Sequence, residues 1–277
     1  MKARAVQFSP RLGDLQGNLE EHRLRIQRAR TDGCDLIVFP ELSLTGYQLK
    51  DIVFDVALRP GDETISLLAR ESHDIDILVG APLEEYPGII YNCALYFSRG
   101  KLLHCHRKVQ LPNFGMFEER MLYAAGGEFR TFRVNEFRVG ILICREILFP
   151  ANAWLYYLQY ADLVIGISNS PFRGMGRSGF SSFSLWENMG YVHSVFYHQN
   201  YLFVNRSGFE DGIGFGGGSF FAPAGKGIQT RAPYFDAVEM DVEVDIRDVR
   251  RARLSGNYRR DERLDVIRSE LERIDHE

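Results

Sequence analysis

The fold is decided by the stretch Arg138-Val-Gly-Ile-Leu-Ile-Cys144-Arg-Glu-Ile-Leu-Phe-Pro150. Residues 139–143 are apolar and rich in β-branched side chains, which predicts a short strand buried on both faces. Pro150 then opens a segment with helical character, so Cys144 lies between a buried strand and a helix. This is where α/β sheets bind their ligands, and backbone N–H groups of such a turn can hold an oxyanion and activate a thiol. The alternative is a core cysteine, since free cysteines are often fully buried.

A second buried strand is predicted for Asp35-Leu-Ile-Val-Phe39, and Glu41 follows it directly after Pro40. A carboxylate at the end of an apolar strand is costly to bury unless it is hydrogen-bonded or has a chemical role. The alternative interpretation of Glu41 is a helix N-cap or an acid in a first helical turn.

A β-hairpin formed by Tyr91–Ser98 and Lys101–Cys105 leads to Lys108, which opens a long loop without strand or helix periodicity. Long ordered loops often carry functional residues, although an isolated lysine is usually solvated. His104 and His106 alternate along the second strand and share a face. A metal site is disfavoured there, because no further ligand stands at a supportive spacing.

Composition limits the possible functions of the chain. Its 277 residues are 45% hydrophobic and 25% charged, which is typical of a globular enzyme with a sizeable core. A net charge of −4 argues against nucleic acid or an anionic membrane as the main partner, and no apolar run is long enough to cross a bilayer. The N-terminus lacks a signal-peptide core. The four cysteines are too scattered for a disulfide framework, so we expect a cytoplasmic protein with reduced thiols.

The whole chain, residues 1–277, is expected to form a single domain, because it contains no linker-like shift in composition and no internal repeat. Residues 261–277 predict a highly charged C-terminal helix with one narrow apolar stripe formed by Leu264, Ile267, Leu271 and Ile274. Such a stripe packs either on its own domain or on a partner subunit.

Glu41, Lys108 and Cys144 together fit one chemistry. A thiol nucleophile needs a base that removes its proton and returns it to the leaving group, and it needs positive charge near the oxyanion. The segments that carry these residues are Phe39-Pro-Glu-Leu-Ser-Leu-Thr-Gly-Tyr47, Arg107-Lys-Val-Gln-Leu-Pro112 and Gly140-Ile-Leu-Ile-Cys144. They resemble the three catalytic motifs of the nitrilase superfamily, the carbon–nitrogen hydrolases.

This resemblance implies an α/β fold in four layers, α-β-β-α, with the catalytic residues at one edge. It also implies that Glu41 is the general base, that Lys108 stabilises the tetrahedral intermediate and that Cys144 forms a thioester. Glu119 matches a second glutamate that positions the substrate and the lysine, although Glu118 is adjacent. No metal or organic cofactor is implied. Family members usually pair through helices, so a homodimer or higher homo-oligomer is expected. The family commonly has Asp where this chain has Glu146.

A narrower resemblance concerns residues 111–120 and Asn169-Ser-Pro-Phe172, which are similar to the glutaminase domain of glutamine-dependent NAD synthetases. It implies that Phe114, Ser170, Arg173 and Arg177 bind the substrate. Together with Arg145, the arginines favour an amide that carries a carboxylate.

We therefore expect a stand-alone amidase that releases ammonia from a small-molecule amide. The alternative is a glutaminase subunit that supplies ammonia to a separate synthetase. A third hypothesis, a catalytically silent binding protein, is disfavoured by the intact set of Glu41, Lys108 and Cys144. The sequence does not separate amide, carbamoyl and nitrile substrates.

Overall fold

The helices lie on the outside of the protein. A computed structural model describes residues 1–176, 179–256 and 258–276. Its α-helices are α1 (Leu15–Thr31), α2 (Val53–Val56), α3 (Glu63–Glu71), α4 (Glu119–Leu122), α5 (Pro150–Leu158), α6 (Ser181–Tyr191), α7 (Ile246–Ser255) and α8 (Leu264–Asp275). Short 3-10 turns cover Lys50–Ile52, Cys144–Leu148 and Tyr258–Arg260, and a π-helical turn covers Val192–Phe196. Within the described ranges, no helix combines the length and apolar character needed to cross a membrane.

In the part of the chain that the structure describes, the strands form two six-stranded mixed sheets and two small ribbons. In chain order they are β1 (Lys2–Gln7), β2 (Leu36–Val38), β3 (Asp76–Tyr86), β4 (Ile89–Ser98), β5 (Lys101–Arg107), β6 (Phe132–Val134), β7 (Phe137–Ile143), β8 (Leu163–Ser168), β9 (Met175–Gly176), β10 (Gly179–Phe180), β11 (Asn200–Asn205), β12 (Ser207–Glu210), β13 (Ile213–Gly216), β14 (Phe220–Ala222), β15 (Thr230–Arg231) and β16 (Val238–Glu243).

The two large sheets have the same arrangement of parallel and antiparallel strands. The first has the order β16-β1-β2-β3-β4-β5, and the second has the order β15-β14-β11-β8-β7-β6. In each sheet the parallel strands are central and flanked by antiparallel ones: β1, β2 and β3 in the first, β11, β8 and β7 in the second. Parallel strands are buried on both faces, which is why they read as continuous apolar runs.

The sheets pack face to face, with helices on both outer surfaces. The inner core combines side chains of the first sheet, such as Ala5 and Val38, with side chains of the second, such as Ile141 and Ile165. Beyond the first sheet, α1 and α3 cover a separate apolar cluster, while Tyr156 of α5 and Trp186 of α6 pack against the second sheet. The predicted four-layer α-β-β-α fold is therefore confirmed.

The sheet topology brings the candidate residues to one edge of the sandwich. β5 runs in the same direction as β2, because two antiparallel pairings separate it from β3, which is parallel to β2. Glu41, which follows β2, and Lys108, which follows β5, therefore leave the first sheet at the same edge. Cys144 leaves the second sheet at the end of β7. The predicted strand at residues 139–143 is confirmed, and it begins two residues earlier, at Phe137.

Candidate active site

Glu41 is completely buried at the carboxyl end of the first sheet. Its Oε1 accepts hydrogen bonds from Lys108 Nζ at 2.6 Å and from Asn92 Nδ2 at 2.8 Å, and its Oε2 accepts one from the Asn169 amide at 2.8 Å. A buried carboxylate with three donors is well compensated. These donors come from both sheets, so Glu41 links the two halves of the sandwich. The helix-cap alternative for Glu41 is wrong, because no helix begins there.

Lys108 is also completely buried and lies between two carboxylates. Its Nζ donates to Glu41 Oε1 and, at 2.8 Å, to Glu119 Oε1. Burial by itself lowers the pKa of Lys108, but the charges of Glu119 and Glu41 outweigh burial and hold that pKa above its ordinary value. Lys108 is therefore a permanent cation at this edge.

Glu119 completes the charged cluster and has an unusual titration. Its Oε1 accepts from Lys108 and, at 2.7 Å, from the Tyr47 hydroxyl, while Oε2 is buried and has no hydrogen-bond partner among the described residues. Burial raises the pKa of Glu119 to about 7; Lys108 opposes that rise and Glu41 adds to it. The neighbouring Glu118 is exposed, so of the two glutamates Glu119 is the one in the cluster.

Cys144 lies where β7 passes into a 3-10 turn, with a left-handed φ of 46°. Such a conformation is strained for a residue with a side chain and is often found at functional sites. The thiol is buried, and burial, followed by the charge of Glu41, raises its pKa to about 12 although Lys108 opposes the rise. The resting residue is therefore a thiol that needs a base, and Glu41 is the carboxylate that acts on it most strongly.

Glu146 is completely buried, and its carboxylate connects the end of β7 to the loop after β5. Its Oε2 accepts from the Ile143 amide at 2.7 Å, and its Oε1 accepts from the Val109 amide at 2.6 Å. His106 Nε2 lies 2.8 Å from Oε2. The carboxylate therefore joins the residue that precedes Cys144 to the residue that follows Lys108.

The expected substrate-binding residues fall into separate places. Phe114 and Arg145 line one cavity of about 560 Å³, and the Arg145 guanidinium lies 5.1 Å from the Phe114 ring centre. Arg173 is exposed and lies 5.0 Å from the Phe117 ring centre. Ser170 is buried, and its hydroxyl accepts from Trp186 Nε1 at 2.7 Å. Arg177 lies outside the described residues.

Several residues of this site were missed in the sequence. Asn92, Tyr47 and Asn169 contact Glu41 or Glu119 directly, and Glu210 holds the backbone at Tyr47. Asn92 gave a detectable signal, since an amide inside an otherwise apolar strand needs a buried partner. Nothing local marks Glu210, which lies far away in the sequence.

The two histidines of the β5 hairpin have partners within the fold. His104 stacks on Phe132 with ring centres 4.4 Å apart, and burial lowers the pKa of His104 to about 4. His106 contacts Glu146, as described above.

Residues 2–253 match the family Carbon-nitrogen hydrolase. The glutamine-dependent NAD(+) synthetase of Thermotoga maritima is 27% identical over 266 residues, which cover 94% of this chain and 45% of that protein. The chain thus spans about half the length of this relative. Among solved structures, a carbon-nitrogen hydrolase from Helicobacter pylori superimposes with a TM-score of 0.87 at 20% identity, covering 98% of each chain.

An amidase from Nesterenkonia sp. gives a TM-score of 0.81 at 22% identity, covering 97% of this chain and 96% of the amidase. That structure is a glutamate-to-glutamine mutant with the acetamide moiety of fluoroacetamide added covalently at its active-site cysteine. These two likenesses concern the fold, and the family match spans nearly all of the sequence. The chain therefore belongs to the carbon–nitrogen hydrolase family.

Proposed function

We propose that this protein hydrolyses the carbon–nitrogen bond of a small amide that carries a carboxylate, through a thioester on Cys144, and releases ammonia. The observation that carries this proposal is the buried cluster of Glu41, Lys108 and Glu119 at the edge where Cys144 emerges. When Glu119 is ionised, two carboxylates and one ammonium give the cluster a net negative charge. A proton that passes from Cys144 to Glu41 neutralises one carboxylate as it creates a thiolate, so the combined charge of the cluster and Cys144 does not change and the transfer adds no net buried charge.

In the first half-reaction, Glu41 takes the Cys144 proton as the sulfur attacks the amide carbon. A C–S bond forms, and the carbonyl oxygen becomes an oxyanion. The Lys108 ammonium and backbone N–H groups of the turn after Cys144 stabilise that oxyanion. The C–N bond then breaks as Glu41 returns the proton to nitrogen, and ammonia leaves.

In the second half-reaction, water attacks the thioester while Glu41 takes one of its protons. The C–S bond breaks, the carboxylic acid leaves, and the sulfur regains a proton from Glu41. Glu41 is therefore used as base and acid once in each half. No external oxidant or reductant is required.

The decisive experiment measures ammonia release from glutamine, asparagine, other ω-amides, N-carbamoyl amino acids and nitriles. We expect turnover of a carboxylate-bearing ω-amide, an acyl adduct on Cys144 by mass spectrometry, and loss of both in Cys144→Ala. Cys105→Ala is the matched control, because it removes a thiol outside the charged cluster. Hydrolysis that persists in Cys144→Ala would exclude the thioester mechanism.

Arg173 is proposed to pair with the substrate carboxylate. It is exposed beside the aromatic side chain of Phe117, whose ring centre lies 6.2 Å from that of Tyr47, so it is near the charged cluster. Guanidinium groups bind carboxylates bidentately. Arg173→Ala should raise KM by about tenfold with little change in kcat, as expected for loss of uniform binding. Arg173→Lys should recover part of that loss, and an unchanged KM in both variants would contradict the assignment.

The second candidate is a glutaminase subunit that serves an ammonia-using synthetase. It is favoured by the similarity to glutamine-dependent NAD(+) synthetases, of which this chain spans about half. A stand-alone amidase should reach its full rate alone. Strong acceleration of glutamine hydrolysis by a loaded NAD synthetase would promote this second candidate.

We further propose that the enzyme forms a homo-oligomer and is located in the cytoplasm. All four cysteines are free, which fits a reducing compartment. A catalytically silent binding protein would leave the two buried carboxylates and the lysine without a purpose, although buried charges are costly to maintain.

A further inference from the structure

Arg206 and Glu210 form a buried ion pair near the charged cluster. Arg206 is completely buried, and its Nη1 donates to Glu210 Oε2 at 2.7 Å. The guanidinium carbon lies 4.2 Å from the Phe215 ring centre, and Nη2 donates to Ser9 Oγ at 3.2 Å. An ion pair this deep gains little stability over apolar packing, so its presence calls for another explanation.

The other oxygen of Glu210 supplies that explanation. Glu210 Oε1 accepts hydrogen bonds from two successive backbone amides, Tyr47 at 2.9 Å and Gln48 at 2.8 Å. Two successive amides that point at one anion form a strong concave binding arrangement. Gly46, with a φ of 83°, permits the approach, because a Cβ at this residue would lie 2.7 Å from Glu210 Oε2. The carboxylate therefore fixes the turn that carries Tyr47.

Tyr47 continues the connection into the charged cluster. Its hydroxyl donates to Glu119 Oε1 at 2.7 Å, the same oxygen that accepts from Lys108 Nζ. Lys108 in turn donates to Glu41. A series of hydrogen bonds, joined through the Tyr47 side chain, thus runs from Arg206, which follows β11 of the second sheet, to Lys108 and Glu41, which follow β5 and β2 of the first.

We propose that Glu210, with its charge balanced by Arg206, is a positioning residue that sets the place of the Tyr47 hydroxyl and, through Glu119, of the Lys108 ammonium. This inference rests on the proposed function of the same site. Among the described residues, Glu210 hydrogen-bonds only to Arg206 and to the amides of the Tyr47 turn, so it acts through Tyr47. Small displacements of a catalytic group lower kcat strongly, because the productive geometry is narrow.

The test is a double-mutant cycle of Glu210→Gln and Tyr47→Phe, with kcat, KM, pH profile and thermal midpoint measured for each variant. Glu210→Gln removes the charge while keeping the shape. Tyr47→Phe removes only the hydroxyl that donates to Glu119. We expect each single variant to lower kcat roughly 10- to 100-fold with a smaller effect on KM. The kcat of the double variant should lie within about twofold of the kcat of the less active single variant, because both changes break the same series of hydrogen bonds.

The pH profile separates positioning from general loss of stability. The Tyr47 hydrogen bond favours the ionised form of Glu119. Its loss should therefore move the acidic limb of kcat/KM to higher pH, by the same amount in both single variants. Asp241→Asn is the matched control: it also removes a carboxylate bonded to an arginine, Arg4, but outside the site. It should lower the thermal midpoint and leave kcat and the acidic limb unchanged.

Two results would overturn the inference: a wild-type kcat in Glu210→Gln, or losses in kcat that simply add in the double variant. If Glu210→Gln does not fold, Glu210→Asp provides the same test, because it keeps the charge but withdraws it from the Tyr47 amide. A failure of the proposed function is distinguishable by the rate at which iodoacetamide alkylates Cys144. An alkylation rate that does not respond to Glu41→Gln would remove the catalytic assignment itself. A rate that responds to Glu41→Gln but not to Glu210→Gln would remove only the positioning role.

Discussion

Cys144 keeps its proton at neutral pH, because burial and the nearby Glu41 raise the pKa of its thiol to about 12. In the proposed mechanism, its reactivity therefore depends on Glu41 as a proton acceptor. We predict that Glu41→Gln slows alkylation of Cys144 by iodoacetamide by about 10² or more, since loss of a general base costs two to four orders of magnitude. Peptide mass spectrometry over a time course measures this rate.

Cys105 is an internal reference in the same experiment. It is partly exposed, and a hydrogen bond with Cys93 lowers the pKa of the Cys105 thiol. Its labelling should be equal in the wild type and in Glu41→Gln. If both cysteines slowed together, the substitution would have altered the fold and not the base.

Glu119 makes the proposed activity sensitive to pH near neutrality. Because burial raises the pKa of Glu119 from 4.5 to about 7, it loses its proton only as the pH passes about 7. The ionised form holds Lys108 most strongly, so kcat/KM should fall about tenfold per pH unit below 7 and level off above it. If kcat/KM of Glu119→Gln still fell below pH 7, a group other than Glu119 would cause that fall.

The raised pKa of Glu119 also affects the free energy of unfolding, which should fall with rising pH where the activity rises. The folded state retains the Glu119 proton between about pH 4.5 and 7, whereas the unfolded state has lost it. The contribution of Glu119 to the free energy of unfolding is therefore greatest at low pH and declines as the pH rises through this window. Urea denaturation at a series of pH values measures this. Above pH 7, the free energies of unfolding of the wild type and of Glu119→Gln should change with pH in parallel.

At the scale of elements, Glu146 connects the end of β7 to the loop that follows β5. It bonds the amides of Ile143 and Val109 and contacts His106, and it is completely buried. Glu146→Ala should lower the free energy of unfolding by about 3 kcal/mol or more, because buried donors lose a charged acceptor. Glu146→Asp should be intermediate, since the shorter side chain does not reach both amides.

Urea denaturation measures these differences. Glu136→Ala is the control, because Glu136 is exposed in the turn between β6 and β7. A Glu146→Ala variant as stable as the control would show that the Glu146 hydrogen bonds do not hold β7 and the loop after β5 together.

At the scale of the whole molecule, most of the apolar stripe of α8 is exposed: of its four residues, Ile267 is partly buried and the other three are exposed. No residue of α8 is buried, and Leu271 and Ile274 are 58% and 57% exposed. A twelve-residue helix in water is marginal without tertiary packing. We therefore propose that α8 contributes to a homodimer contact. Leu271→Asp combined with Ile274→Asp should shift the protein from dimer to monomer in sedimentation velocity.

Leu24→Asp is the matched control, since Leu24 is half-exposed on α1, which covers the outside of the first sheet. It should leave the oligomeric state unchanged. A wild-type monomer at micromolar concentration would contradict this use of α8.

The sequence by itself determined the central strands, because a strand buried on both faces must be apolar throughout. It also determined the positions of Glu41, Lys108 and Cys144, each next to a strand end recognisable from local pattern. Element boundaries were less certain. The residues just before Trp186 give no helical pattern, yet α6 begins at Ser181 and changes to a π-helical turn at Val192. The glycine and serine residues near the start of α6 have low helix propensity, so the sequence pattern does not indicate its first turn.

Only the tertiary structure decided how these side chains meet. Glu41 and Asn169 are 128 residues apart, and Tyr47 and Glu210 are 163 apart, yet both pairs are hydrogen-bonded. Such contacts depend on which strands are neighbours and how the two sheets stack, and no local periodicity encodes either. The pKa values of Glu119 and Cys144 depend on the burial and charge that this stacking creates, so they too became visible only in the folded chain.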